Sequence, residues 1–512
     1  MLGGTAELTR GRLLARNAAL NVAGWALPAV CALLAIPALV RAMGAERFGL
    51  LALAWTLVGS FSPFDLGIGR ALTQALAARV GRGDQGDSPD VAWSGLWLLF
   101  AVGLAGAAAL ALGAPALAGR WLHMSPALQG EATRGLRLLA LAVPLTTVTA
   151  GLRGVLEAGQ EFRTVNALRV PLAILSFVGP WAVQSLSHTF TASIAVLVGA
   201  RALVAALHAA ALARRYPVLR RVRTPRAAAL RALRGVAGWM TVSSLAQPVL
   251  AIGDRLLIGA ALPMAAFAQY AAVGEVASKL SVVGALLQPV LLPALAATLV
   301  ADPRRAVILF DRGVRATVLA TAPAALVLVA FAPEGVRAWL GADLARDAIP
   351  VLQLLAVAWY VNACAQLPYV ALQSAGRADL PAKFHAAEVL LHLAVLWLLL
   401  GRFGLLGAAI AGALRMVVDA LALYAAAPRV LRDAGPVLRR ALGLALGGAA
   451  ALGALATVGP LLARGAVAVG ALAAFAAVAP RWLVTADERA LARSLTSGRW
   501  TRAVRRAAAE PA

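Results

Sequence analysis

The sequence has almost no lysine, little acid and little sulfur. Of 47 basic residues only Lys279 and Lys383 are lysine, and they face 23 acidic residues. Cys31 and Cys364 are the two cysteines, both inside apolar runs, so neither a disulfide framework nor a thiolate metal site is suggested. Charged residues make up 14% of the chain, too few to cover the surface of a soluble protein of 512 residues. A P-loop, an HExxH pair and a nucleophile elbow are all missing, and the loops are too short to hold an inserted soluble domain. No catalytic residue, metal or cofactor is therefore expected. What the chain has in abundance is apolar surface: 61% hydrophobic residues and a mean hydropathy of +0.81. Most of it falls in windows of about 20 residues, the length that crosses a bilayer. The expectation is an all-α polytopic membrane protein.

The net charge of +24 is read against that background. Nucleic-acid binding does not follow from it, because the arginines sit between apolar spans or in the tail, where they face anionic lipid. The densest stretch, 214–234, reads RRYPVLRRVRTPRAAALRALR and holds eight arginines with no acid. Fourteen spans are expected. Six precede that stretch, at 17–40, 48–69, 92–118, 134–156, 165–184 and 188–212. Six follow, at 235–259, 264–298, 313–332, 348–373, 383–400 and 404–427, and a last pair lies at 437–459 and 465–484. Pro289 and Pro293 are expected to bend or end the long 264–298 run. The run from Asn17 lacks a small-residue cleavage site and reads as a retained helix.

This gives six divisions: a basic N-terminus at 1–16, an N-terminal six-helix bundle at 17–212, a basic linker at 213–234, a C-terminal six-helix bundle at 235–427, an extra pair at 428–484 and a basic tail at 485–512. The tail reads either as an amphipathic helix on anionic lipid or as a solvated segment fixing topology. With both termini cytoplasmic, nearly all dense arginine clusters fall on the cytoplasmic side and only scattered charge on the other. DQGDSPD at 84–90 and DPRR at 302–305 read as cytoplasmic turns. Val22-Ala-Gly-Trp25 recurs as Val236-Ala-Gly-Trp239, each opening the first span of a half, and Phe48 has a counterpart in Phe267. Two pseudo-symmetric halves are the expected result, with slack in the linker between them and the last pair packed outside the two-lobed core.

Charges inside spans are expensive and usually face a cavity or each other. Asp65 and Arg70, in SFSPFDLGIGRALTQ, line a cavity or form a structural pair near a helix end. Asp254 and Arg255 are adjacent and point in different directions, so at least one needs a partner on another helix. Arg255 reads as an anion contact, an interhelical ion pair or a headgroup snorkel. Glu275 and Lys279 have the spacing and order of a local salt bridge, with Tyr270 either packing or lining the same cavity. Glu388 and His392, also i,i+4, could carry a proton, and Arg415 with Asp419 forms a third such pair. Arg153, Glu157, Glu161 and Arg163 would make a gate or charged collar after the fourth span. Arginine suits phosphate or pyrophosphate, although general arginine preference would raise the same count.

The chain resembles the bacterial polysaccharide and O-antigen unit flippases of the multidrug/oligosaccharidyl-lipid/polysaccharide exporter superfamily. The likeness runs over residues 10–430: Arg16-Asn17, Gly24, Pro37, then Met43 to Gly49 (MGAERFG), Phe64 to Arg70 (FDLGIGR), and Gly159 to Phe162 with Asn166. It continues at Asp254 to Gly259 (DRLLIG), Tyr270-Ala271 and Ser374 to Arg377 (SAGR). The resemblance implies two six-helix bundles and alternating access in the inner membrane. The implied cargo is an undecaprenyl-pyrophosphate-linked oligosaccharide, with Arg70, Arg255 and more weakly Arg415 at the positions that meet it. Glycosyltransferases and a glycan polymerase are the implied protein partners. Three other readings stay open from the residues: a cation-coupled small-molecule exporter, a peptidoglycan-precursor flippase, and a non-transporting scaffold of a glycan-assembly complex. With no ATPase in the chain, transport would run on an ion gradient or on the substrate's own gradient.

Overall fold

The computed structural model describes residues 11–61, 68–82, 87–159, 161–231, 249–250 and 252–482; Asp65 and the 236–239 repeat lie outside them. Among the described residues the regular structure is helical. In order, α1 is Gly11–Met43, α2 Ala45–Phe61, α3 Ile68–Arg82, α4 Ser88–Ala116, α5 Pro126–Ala140, α6 Ala142–Ala158, α7 Phe162–Val183 and α8 Phe190–Arg215. Next come α9 at 252–261, α10 at Met264–Ser278, α11 Val282–Ala301, α12 Pro303–Ala330 and α13 Ala332–Leu340. The remainder are α14 Ala342–Ser374, α15 Asp379–Ala426, α16 Gly435–Ala456 and α17 Leu461–Trp482. Ten helical segments among the described residues are long and apolar enough to cross a membrane.

Several boundaries differ from the sequence expectation, each for a local reason. The 264–298 run does not end at its prolines: the helix continues through Pro289 and Pro293, and the interruption is the 3-10 turn at Lys279–Ser281. The DPRR stretch starts a helix rather than forming a turn. Asp302 caps α12 by accepting a hydrogen bond from the Arg305 amide at 3.1 Å, and Pro303 occupies the first helical turn, where its missing N–H costs nothing. In the DQGDSPD turn, Ser88-Pro89-Asp90 is likewise already the start of α4.

The two spans expected at 383–400 and 404–427 form one 48-residue helical segment, α15, broken at Gly404. A straight helix of that length would reach about 70 Å, more than twice the hydrocarbon thickness. Gly404 sits at φ 55°, ψ −131°, a region open in practice only to glycine. The reversal is tight, since a Cβ on Gly407 would lie 2.0 Å from the Leu399 carbonyl oxygen.

The chain divides into two compact units. The first comprises residues 1–279, 336–351 and 382–415; the second comprises 280–335, 352–381 and 416–512. In the first, α2 packs against α10, and Phe48 and Phe267, the two positions expected to correspond, are both buried on these touching helices. A Cβ on Gly49 would meet the Met264 carbonyl oxygen at 2.4 Å, so the backbones approach as closely as glycine allows. Trp55 on α2 packs against Phe177 with the rings tilted by 59° and donates to the Ser176 carbonyl of α7 at 3.0 Å. The charged pair of the MGAERFG stretch is structural: Glu46 accepts from Ser125, while Arg47 pairs with Glu131, which also accepts from the Phe190 amide at the start of α8.

The basic linker is not slack where it is described. Asp90, 4% exposed, takes Arg223 on one carboxylate oxygen at 2.9 Å and Arg226 on the other at 2.7 Å. Ser94 accepts from the Arg226 amide, and the Trp97 indole donates to the Arg223 carbonyl. The linker is thereby tied to the first three turns of α4. Arg215, in the last turn of α8, pairs with Glu161, and Arg153 with Glu157 at 3.5 Å.

In the second unit α16 seats on α14 through a glycine notch. A Cβ on Gly448 would lie 2.5 Å from the Tyr360 hydroxyl, which donates to the Leu444 carbonyl at 2.9 Å. Ion pairs hold both members of the last helix pair: Arg440 on α16 to Asp311 of α12, and Arg464 on α17 to Glu334 of α13. Asp311 is also shared with Arg315 one turn along, at 3.2 Å.

Candidate functional site

Polar side chains from four helices gather in the interior of the first unit. The helix α9 supplies Asp254 and Arg255, and α10 supplies Tyr270, Glu275 and Lys279. Both limbs of α15 contribute, Glu388 and His392 from one and Arg415 from the other, and α2 adds Thr56. The Gly404 reversal is what lets a single segment contribute twice. Glu388 and His392 are 7% and 4% exposed; Asp254, Arg255, Tyr270, Glu275, Lys279 and Arg415 are half-buried.

Adjacent residues on a helix diverge by about 100°, and Asp254 and Arg255 take separate partners. Asp254 accepts from His392 Nε2 at 2.7 Å. Arg255 donates to the Thr56 hydroxyl oxygen. Thr56 can receive it because its own proton is spent on the Ala52 carbonyl at 3.0 Å, one turn back on α2. Glu275 and Lys279 form the salt bridge expected from their spacing, at 2.5 Å. Arg255 lies within electrostatic reach of Glu275, Tyr270 and Asp254, and Tyr270 within reach of Arg415. The Tyr270 hydroxyl would stand 3.9 Å from a Cβ on Gly412, which places it against the second limb of α15.

One pairing differs from the sequence reading. His392 does not bond Glu388 one turn away; its Nε2 is taken by Asp254, and its buried Nδ1 meets no hydrogen-bond partner among the described residues. An interhelical carboxylate at 2.7 Å outcompetes the i,i+4 neighbour. The Arg415 Nε is likewise buried with no hydrogen-bond partner among the described residues. Arg70 lies in the first turn of α3, but its side chain is outside the described set, as is that of Arg163. Thr56 was not singled out from sequence: a threonine in an apolar helix ordinarily satisfies itself on its own turn, and nothing local marks its second role.

Asp254 is committed to His392 and Glu275 to Lys279, so neither acid is contact-paired with an arginine by these bonds. Guanidinium groups held in a low-dielectric interior attract anions far more strongly than they would in water. What this arrangement offers is attraction for a charged group.

The fold itself recurs among solved transporters. It is similar to the lipid II flippase MurJ in an inward closed conformation, with a TM-score of 0.73, 10% identity, and coverage of 90% of this chain and 99% of that one. It is also similar to an inward-facing multidrug-resistance MATE family transporter of the MOP superfamily, with a TM-score of 0.67, 13% identity, and coverage of 81% and 99%. Ten helical segments among the described residues that are long and apolar enough to cross a membrane make this an all-α polytopic membrane protein. Residues 14–299 match the polysaccharide biosynthesis protein family, more than half of the chain, and the chain belongs to that family. A Shigella flexneri protein named "Putative O-antigen transporter" is 26% identical over 417 residues, covering 80% of this chain and 96% of its own length.

Proposed function

We propose that this protein flips undecaprenyl-pyrophosphate-linked oligosaccharide units from the cytoplasmic to the periplasmic leaflet by alternating access, for O-antigen or exopolysaccharide synthesis. The observation that carries the reading is the interior cluster in which both Asp254 and Glu275 are engaged by bases while Arg255 and Arg415 stand among them. A drug exporter for cations would favour acidic and aromatic cavity groups, whereas this cluster includes two arginines. The match to the Shigella flexneri relative over 96% of its length supports a glycan-linked cargo. In this reading the lipid tail stays in the bilayer while the charged head crosses a hydrated path, and Arg255, Arg415 and Arg70 meet the pyrophosphate. Two six-helix bundles, cytoplasmic termini, and glycosyltransferase and polymerase partners belong to the same proposal. The Asp254–His392 hydrogen bond, with Glu388 one turn from His392 on the same helix, is the candidate coupling element of this proposal.

Headgroup translocation in proteoliposomes tests this, with a defined undecaprenyl-pyrophosphate glycan, a peptidoglycan precursor and a cationic drug as parallel cargoes. Glycan crossing that falls in folded Arg255→Ala and Arg415→Ala variants is the expected result. Drug efflux without glycan movement would overturn the cargo, and crossing that ignores both substitutions would overturn the arginine assignment.

A further inference from the structure

A second basic site lies in the second unit. A cavity of about 450 Å³ opens where three connections meet: the end of α11 with Pro303, the α14–α15 turn, and the segment 429–432 before α16. That volume is within the usual range of ligand sites, about 300–1,000 Å³. Arg377, Arg429 and Arg432 line it together with the apolar Leu299, Val430 and Leu431. Two of the nearby acids, Asp379 and Asp302, are occupied. Asp379 engages the Nε/Nη2 edge of Arg377 at 2.9 and 3.3 Å, which leaves its Nη1 edge unused by that pair, and Asp302 caps α12. The walls are shaped by special backbone: Gly376 at φ 72° turns the chain beside Arg377, and Asp433, a non-glycine residue at φ 62°, follows Arg432 directly. A left-handed conformation at an aspartate is uncommon and persists where surrounding contacts impose it. The Ser374 hydroxyl further secures the turn to the Leu292 carbonyl at 3.0 Å.

Three guanidinium groups beside an apolar wall suit an anion that carries hydrocarbon. Guanidinium forks match phosphate oxygens, and an arginine-rich membrane face draws in anionic headgroups. We propose that this cavity binds a phosphate group, held by Arg377, Arg429 and Arg432, and that the group is the headgroup of an anionic lipid seated against Leu299 and Leu431. The site is independent of which cargo crosses the membrane, so it stands or falls separately from the transport reading.

The test uses the full-length chain in neutral detergent, titrated with dihexanoyl-phosphatidylglycerol, dihexanoyl-phosphatidylcholine or inorganic pyrophosphate. Amide exchange is followed over 374–379 and 427–433. Phosphatidylglycerol is expected to slow exchange there by at least about threefold, with phosphatidylcholine ineffective. The Arg429→Gln/Arg432→Gln double variant should need about tenfold more phosphatidylglycerol, whereas Arg402→Gln should follow the unmodified chain. Ala375→Trp, which fills the cavity and keeps every charge, should abolish protection; unchanged exchange elsewhere confirms folding of each variant. Saturation by phosphatidylglycerol at lower concentration than pyrophosphate assigns the phosphate to the bilayer, and the reverse order assigns it to the soluble pool. Absence of protection by either anion, or equal protection in the filled and double-arginine variants, overturns the site.

Discussion

Arg255 is half-buried in the interior of the first unit, and a charge there must be compensated by contacts that only the folded chain provides. Thr56 supplies one hydrogen bond, and Asp254 and Glu275 supply field without contact. The neighbouring Asp254–His392 bond is also interhelical, and such bonds in membranes are worth about 0.6 kcal/mol on average and up to about 1.7. His392→Leu should therefore lower stability in detergent by about 1–2 kcal/mol, because Asp254 then loses its acceptor role without escaping burial. Asp254→Asn keeps a partner for His392 and should lower stability by less than about 1 kcal/mol. Both variants should lose any acceleration of glycan transport by an imposed proton gradient. Gradient dependence that survives Asp254→Asn would remove this pair from the coupling step.

At the scale of elements, the Gly404 turn and the docked linker each rest on few atoms. Nothing lies within 4 Å of a Cβ built on Gly404, so substitution there meets backbone strain rather than a clash. Gly404→Val should cost about 1–3 kcal/mol or more, read as a lower melting temperature in micelles. Gly401→Val, equally open but on regular helix, should cost less than about 1 kcal/mol. If the two variants melted together, the turn would not require its left-handed glycine. For the linker, Asp90→Ala removes both ion pairs while Arg223 and Arg226 remain able to reach water. The side chain of Arg226 is already 63% exposed, so global folding should hardly change. Local opening should rise by about tenfold, seen as faster tryptic cleavage after Arg221, Arg223 or Arg226. Cleavage at the unmodified rate would mean that the Trp97 and Ser94 contacts suffice.

At the scale of the whole molecule, the arginine distribution makes a topology that can be labelled. In a Cys31→Ser/Cys364→Ala background, Val222→Cys should react with an impermeant maleimide only from the cytoplasmic side. Thr457→Cys, in the connection between α16 and α17, should react only from the periplasmic side. Labelling of both from one side would overturn the proposed orientation.

Much of this protein was readable from the chain alone, because membrane insertion is decided by local hydropathy. Twenty apolar residues in a row need no tertiary partner to declare a span. The Glu275–Lys279 bridge was readable for the same reason, since one helical turn sets its geometry. Tertiary structure decided what distance in sequence concealed. His392 chose Asp254, 138 residues away, over Glu388 one turn away, and Arg255 found Thr56 across 199 residues. Asp90 reads in sequence as part of a cytoplasmic turn, whereas α4 begins at Ser88 and brings both its oxygens onto the linker. A charge buried in an apolar medium must be paired by whichever group the packing delivers, and packing is a property of the folded chain.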